Sequence, residues 1–218
     1  MGLSRILLMR INAGKTDPAQ QVRQIEMIQA SAERSLATVE HVVDIAKIES
    51  GRVTCERRPT DCRTVVTEVV HAFQERAESR GLRLRAEVPD HPAVIMTDGE
   101  ILGRALRELV DNATKFSDTG EVVVRITAGD DQPTGIEVAD QGPGIPADEA
   151  ADIFDAYQRG TLAAERDDDG AGLGLYLARS LTDLLGATLD LTSRTGTGST
   201  FAITFPAETV SAQAPGRT

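Results

Sequence analysis

Long apolar runs and an excess of basic charge are both missing from this 218-residue chain. No stretch approaches the ~20 apolar residues that a bilayer-spanning helix requires. The best of them, Ile6–Ile11, is short and interrupted by Arg10. Leu3–Met9 has neither the length nor the following small-residue cleavage site of a secretory signal. Cysteine is scarce as well. Cys55 and Cys62 have no third or fourth ligand nearby, which argues against a metal site and for two free thiols in a reducing compartment. The net charge of −11 is uneven: residues 1–58 carry +2 and residues 59–218 carry −13. A domain that acidic is a poor nucleic-acid binder, because phosphate neutralisation needs clustered cations. Its simplest role is solubility, although a nucleotide remains bindable where magnesium and backbone amides supply local positive field. A hydrophobic content of 40% and a mean hydropathy of −0.20 describe an ordinary soluble protein, expected in the cytoplasm and without membrane contact by this chain.

Periodicity divides the chain. Leu3, Ile6, Leu7, Met9 and Ile11 outline a short helix over residues 1–13. Asp17-Pro18 then offers an N-cap and a proline at the first helical position. From there Val22, Ile25, Ile28, Ala32, Leu36, Val39, Val43, Ala46 and Ile48 recur every three or four residues, and Gly51 stops the run. A helix of that length would reach roughly 50 Å, more than a domain this size covers, so its stripe is expected to face a second chain as well.

Beyond Gly51 the pattern mixes helix and strand. The expected elements are an edge strand at Val53–Arg57, a helix from Thr60-Asp61 to about Arg80, and strands at Leu82–Val88 and Val94–Met96. A helix Gly99–Phe116 follows, then a hairpin of Glu121–Ala128 with Gly135–Ala139 over a Gly129–Thr134 turn. A short helix after Pro146, a polar loop, a helix Gly172–Leu185 and strands Ala187–Ser193 and Ser199–Phe205 complete the series. Three helices on one face of a mixed sheet make an α/β sandwich, an α+β fold overall. The Ala/Pro/Gly/Thr-rich tail from Ala207 is expected to be irregular.

Four short stretches carry chemistry. ELVDNATKFS at Glu108–Ser117 puts a carboxylate, a carboxamide and an ammonium (Glu108, Asn112, Lys115) near one helix face at i, i+4 and i+7. Asn112 suits magnesium, which needs few protein oxygens and keeps water and phosphate as its other ligands. Glu108 can orient water or polarise a nucleophile; its plainer reading is a surface pair with Arg104 or Arg107. Lys115 can reach phosphates or be an ordinary helix-end lysine, and Asp111 reads as a solvated neighbour. DQGPGIP at Asp140–Pro146 places a carboxylate at a strand end before two glycines. Asp140 there can accept the exocyclic amine of adenine, which guanine does not offer, while Gly142 and Gly144 let the backbone approach a base. GAGLGL at Gly170–Leu175 opens a helix with unshielded backbone amides suited to anionic oxygens, and GTGSTF at Gly196–Phe201 leads into a strand.

In order and spacing these stretches resemble the ATP-binding domain of sensor histidine kinases, in the ATPase superfamily that includes gyrase, Hsp90 and MutL. The resemblance is continuous over residues 59–206. It implies a Bergerat-type ATPase fold and Mg-ATP as ligand. As catalytic residues it implies Glu108 and Asn112. The nucleotide would be bound by Asn112, Lys115, Asp140, Gly142, Gly144, Ile145, Tyr157, Arg159, Gly170, Gly172, Leu173, Gly174, Leu175 and Thr200. Ile153-Phe154 and Tyr157-Gln158-Arg159-Gly160 match the family's phenylalanine box, although Phe154 is equally a core residue. Thr161–Asp169 occupies the place of its mobile ATP lid, and Thr200 matches a hydroxyl that reaches adenine through water. Ala171 stands where the family often has threonine.

Residues 17–51, ending IAKIESG, resemble the second helix of the family's dimerisation and phosphotransfer domain, which implies a homodimer through residues 1–51 and a response-regulator receiver domain as partner. Expected domains are therefore 1–52, 53–207 and a tail 208–218. The resemblance breaks at the phospho-acceptor: no Ser-His-Glu-Leu-Arg-Thr-Pro-like box is present, and His41, His71 and His91 each lack an acidic neighbour on the C-terminal side. Either the sequence is a piece that begins just after that box or the protein naturally lacks it. The function implied is transfer of the γ-phosphate of ATP to a histidine outside this chain. The competing readings are a nucleotide-binding regulatory pseudokinase dimer, a related conformational ATPase and an anti-sigma-type serine kinase.

Overall fold

The computed structural model describes residues 18–129, 132–158, 160–161 and 171–210. The chain divides into two compact units, one ending at Val43 and the other beginning at Asp44. The first contains most of helix α1, Pro18–Glu49, which is 32 residues long, is opened by the proline that its sequence offers, and passes its last residues from Asp44 on to the second unit. It closes with Gly51 N donating to Ile48 O at 2.9 Å and Arg52 N to Lys47 O at 2.9 Å. No residue of α1 is buried, and Leu36 and Val39 are more than half exposed. The helix expected over residues 1–13 lies outside the described residues.

The second unit carries the core. Helix α2 (Cys62–Ser79) is capped by Asp61, whose side chain accepts from Arg63 N. Strand β1 (Arg58–Asp61) pairs antiparallel with β3 (Val94–Thr97) in a separate two-stranded ribbon. The strand expected at Val53–Arg57 therefore lies a few residues further on. The partner residues Val94–Thr97 face Arg58–Asp61, with Thr60 Oγ1 donating to Thr97 O at 3.0 Å. Residues 52–57 are irregular and tied by isolated bonds, Glu56 N to Asp98 Oδ2 at 3.0 Å and Arg57 Nη2 to Leu185 O at 3.1 Å.

The main sheet has five strands in the order β2-β4-β5-β7-β6, formed by Arg83–Glu87, Glu121–Gly129, Gln132–Ala139, Gly198–Thr204 and Thr188–Arg194. The β2–β4 pair is parallel and the others are antiparallel. Alternation sorts the two faces. Val122, Val124, Ile136, Val138, Phe201 and Ile203 point into one core with α2, α3 (Gly99–Phe116) and α4 (Gly174–Leu185). Arg85, Glu87, Arg125 and Glu137 form ion pairs with one another away from it. This is the mixed α+β sandwich that the sequence implies. The β4–β5 turn is tighter than expected: a bulge between Thr127 and Ala128 shifts the register, so that Gly129 still pairs with Gln132.

A turn after Pro146 and a 3-10 helix at Asp152–Phe154 precede α4, which starts at Gly174 rather than Gly172 because Gly172 adopts a left-handed φ of 69°. Ala207–Val210, expected to be irregular, forms a one-turn helix, α5, with Thr209 Oγ1 donating to Pro206 O at 2.6 Å.

Candidate functional site

Helix α3 begins where Asp98 accepts the amides of Glu100 and Ile101, and it runs with Leu102, Leu106, Leu109 and Ala113 buried. Glu108, Asn112 and Lys115 are half-buried beside that stripe, as their i, i+4, i+7 spacing requires. Arg104 pairs with Asp44, and Arg107 reaches back over Gly103. Asp111 pairs with Arg76, and the Lys115 ammonium lies 5.2 Å from the Phe116 ring centre.

The loop Asp140–Pro146 leaves β5 at the C-terminal end of α3. A Cβ on Gly142 would lie 3.1 Å from Phe116 O and 3.4 Å from Ser117 Oγ, so the helix end and the loop touch. Ser117 is buried, and its hydroxyl has no hydrogen-bond partner among the described residues. Asp140 Oδ1 accepts from Gly142 N at 2.8 Å and from Ser199 N at 3.3 Å. Burial nevertheless pushes the Asp140 carboxyl above its usual range, against the pull of those two amides. Gly144 is required twice over: its φ is +71°, and a Cβ there would stand 2.2 Å from Arg194 O. Gly198 is equally tight, since a Cβ would meet Asp140 O at 2.0 Å. The GTGSTF turn and the DQGPGIP loop are thus packed backbone against backbone.

The third side is the start of α4. Gly174 faces Glu108, whose Oε2 would lie 2.9 Å from a Cβ on that glycine. Tyr157, 68% exposed with a φ of +66°, donates its amide to Gly172 O at 3.0 Å. Leu173 points into the interior at 2% exposure, and Leu175 and Ile145 are partly buried against the core. Thr200 is half-buried on β7, opposite Ala139 at the end of β5. Arg159, Gly170 and residues 162–169 of the lid position lie outside the described residues. Phe154 is a core residue, edge-to-face with Phe201 at 6.1 Å.

The structure brings all four stretches to one place. Sequence reading missed Ser193 and Ser199, which face each other across β6 and β7 with hydroxyls 3.0 Å apart. The available signal was a serine on each flank of the glycine turn. The donor set fits magnesium: a half-buried carboxamide at Asn112 is a hard oxygen ligand. Among the described residues no group of three His, Cys, Asp or Glu side chains could hold a metal by itself. A cation that keeps water and phosphate oxygens does not need one.

A mixed sheet of this topology, with the Asp140 loop, the glycine-opened helix α4 and the Asn112-bearing helix α3 brought together, is the arrangement of an ATPase domain. The profile of the family described as histidine kinase-, DNA gyrase B-, and HSP90-like ATPase matches residues 97–209, and the chain belongs to that family. Its ATPase domain is of the type found in sensor histidine kinases. It is 32% identical over 194 residues to the sensory/regulatory protein RpfC of Xanthomonas campestris, covering 86% of this chain and 27% of that one. It is 30% identical over 194 residues to the circadian input-output histidine kinase CikA of Synechococcus elongatus, covering 88% and 26%. The crystal structure of full-length ShkA in complex with AMPPNP superposes with a TM-score of 0.71 at 25% identity, covering 90% of this chain and 41% of that one. The chain thus spans about a quarter of the length of these curated relatives. Among the described residues no helix is long and apolar enough to cross a membrane.

Proposed function

We propose that this chain binds Mg-ATP and donates the γ-phosphate to a histidine that it does not itself carry, for relay to a response regulator. The observation that carries the reading is the convergence of Glu108, the Asp140 loop, the Gly172–Gly174 helix start and the Gly196–Phe201 turn, which are dispersed over about ninety residues of sequence. Asp140 accepts the adenine amine. Gly142 and Gly144 admit the base, and Thr200 reaches it through water. Asn112 holds the magnesium, which when bound offsets the charge on the phosphates. Lys115 and the amides leading into α4 take the phosphate oxygens, with Arg159 and Gly170 as the remaining phosphate contacts and Tyr157, Ile145, Leu173 and Leu175 as walls. Glu108 accepts the imidazole proton as the new P–N bond forms and the β,γ-bridging P–O bond breaks. Catalysis is positioning and electrostatics, as phosphoryl transfer generally is.

Association of two chains through residues 1–51 supplies the dimer, in line with the exposed apolar positions of α1. His41, the histidine of α1, is followed by Val42 rather than an acid, so it is a poor acceptor. The test is calorimetry with ATP and GTP, with and without magnesium, followed by incubation with γ-labelled ATP. Magnesium-dependent, adenine-selective binding is expected, with no acid-labile label on this chain and with label on an added fragment that bears a histidine box. Equal binding of ATP and GTP would remove Asp140 as the base reader. Unchanged magnesium dependence in Asn112→Ala would move the metal elsewhere. Binding without transfer to any acceptor fragment would favour the pseudokinase reading.

A further inference from the structure

We propose that Ser193 is a positioning residue for the base-reading loop: from β6, outside the matched motifs, it sets the adenine selectivity of the site. The proposal rests on the nucleotide reading above.

The loop Asp140–Pro146 has no strand or helix ladder of its own, so its conformation depends on the bonds it makes to its surroundings. At its start Asp140 N donates to Ser199 O at 2.8 Å, and Ser199 N returns to Asp140 Oδ1 at 3.3 Å. At its far end Ile145 N donates to Ser193 Oγ at 2.8 Å. Between the two, Gly196 N donates to Pro143 O at 2.7 Å. Ser193 and Ser199 are register partners in β6 and β7, so one cross-strand pair grips both ends of the loop.

The hydroxyl of Ser193 works as acceptor and donor at once. It accepts from Ile145, and its single proton is directed to Gly198 O at 2.9 Å or to Ser199 Oγ at 3.0 Å. Gly198 is the residue whose Cα hydrogen faces Asp140 O, so both routes lead back to the carboxylate end. Alanine at 193 would leave the Ile145 amide without its acceptor and free the loop to re-close on water. The phosphate side, built from α3 and α4, shares none of these bonds. The loss should therefore fall on base recognition alone.

The experiment is calorimetric titration of the full chain with Mg-ATP and Mg-GTP, for the unsubstituted protein, Ser193→Ala and Ser193→Thr. Far-ultraviolet circular dichroism checks that each is folded at the titration temperature. Ser193→Ala should bind ATP about tenfold more weakly, the worth of one lost net hydrogen bond, with GTP unchanged, so that selectivity narrows. Ser193→Thr, which keeps the hydroxyl, should return ATP binding to within about twofold of the unsubstituted chain. A merely structural serine would weaken both nucleotides alike. That result, or an unaltered ATP affinity in Ser193→Ala, overturns the role of Ser193 and leaves the nucleotide reading standing. Failure of the unsubstituted chain to bind either nucleotide overturns both.

Discussion

Helix α1 and the unit that begins at Asp44 are built from equally apolar material and use it in opposite ways. Along α1 apolar residues recur every three or four positions, yet no residue is buried. The second unit is assembled from segments of three to eighteen residues, and it buries a continuous core from Cys62 to Phe205. Regular patterning specifies an element, whereas burial requires an opposing surface. Among the described residues α1 meets such a surface only in its last turns, where Ile45 and Ile48 pack on the core, while a sheet with three helices supplies one along its length.

Four measurements would break or sharpen that contrast. The largest effect is expected on association. Leu36→Asp with Val39→Asp puts two charges into the apolar face of α1 and should convert a dimer wholly to monomer in light scattering, with the unfolding midpoint of the second unit unchanged. A monomeric parent would sink the dimer. Next is the core. Phe201 is fully buried and packs on Phe154, so Phe201→Ala should cost about 3–5 kcal/mol in urea unfolding. Leu36→Ala, at a residue 59% exposed in the single chain, should leave unfolding of the second unit within about 0.5 kcal/mol. Comparable losses at the two sites would erase the distinction between them.

The third measurement concerns Asp140, whose carboxyl burial raises above its usual range. Its ionised form costs stability, so in the unliganded chain stability falls as pH rises through the ordinary carboxylate range to the raised value and is level above it. Asp140→Asn should therefore leave the unliganded chain equally or more heat-stable while weakening ATP by about 2 kcal/mol. In the parent, ATP affinity should fall as pH drops through that raised value, and the variant should lose this dependence. A variant that is less stable and still binds ATP would reverse the argument.

The smallest effect is at Asp61, the α2 cap. Its carboxyl is held below the usual range, chiefly by its hydrogen bond to the Arg63 side chain. The stabilisation is present above the ordinary carboxylate pKa and is lost as pH falls through the lowered one. Asp61→Ala should cost about 1 kcal/mol at neutral pH and less in acid. A constant difference across pH would mean that the charge is irrelevant.

The site was legible to different depths. Glu108, Asn112 and Lys115 could be placed together because a helix turns 100° per residue and fixes neighbours within itself. Asp140 was legible as a carboxylate before glycines. The need for Gly144 was legible only as a turn, since its second reason, the carbonyl of Arg194 at 2.2 Å from a would-be Cβ, comes from fifty residues away. Leu173 and Leu175 read as part of a glycine box, and only the structure shows that one is buried and the other partly buried against the core. Ser193 and Ser199 showed only as serines flanking the glycine turn, because a serine on a strand is unremarkable until its register partner is known.

Local chemistry in the sequence determined the long helix α1, the cap at Asp61, the span of α3 without error at either end, and the family. Each depends on interactions within a few residues, whose geometry the chain imposes on itself. Only the tertiary structure decided that Arg58–Asp61 rather than Val53–Arg57 forms the strand, that a bulge at Thr127 and Ala128 tightens the hairpin, and that a serine pair grips both ends of the base-reading loop. Those outcomes turn on which distant backbone groups meet. Hydrogen-bonding partners chosen across tens of residues leave no mark on local sequence spacing.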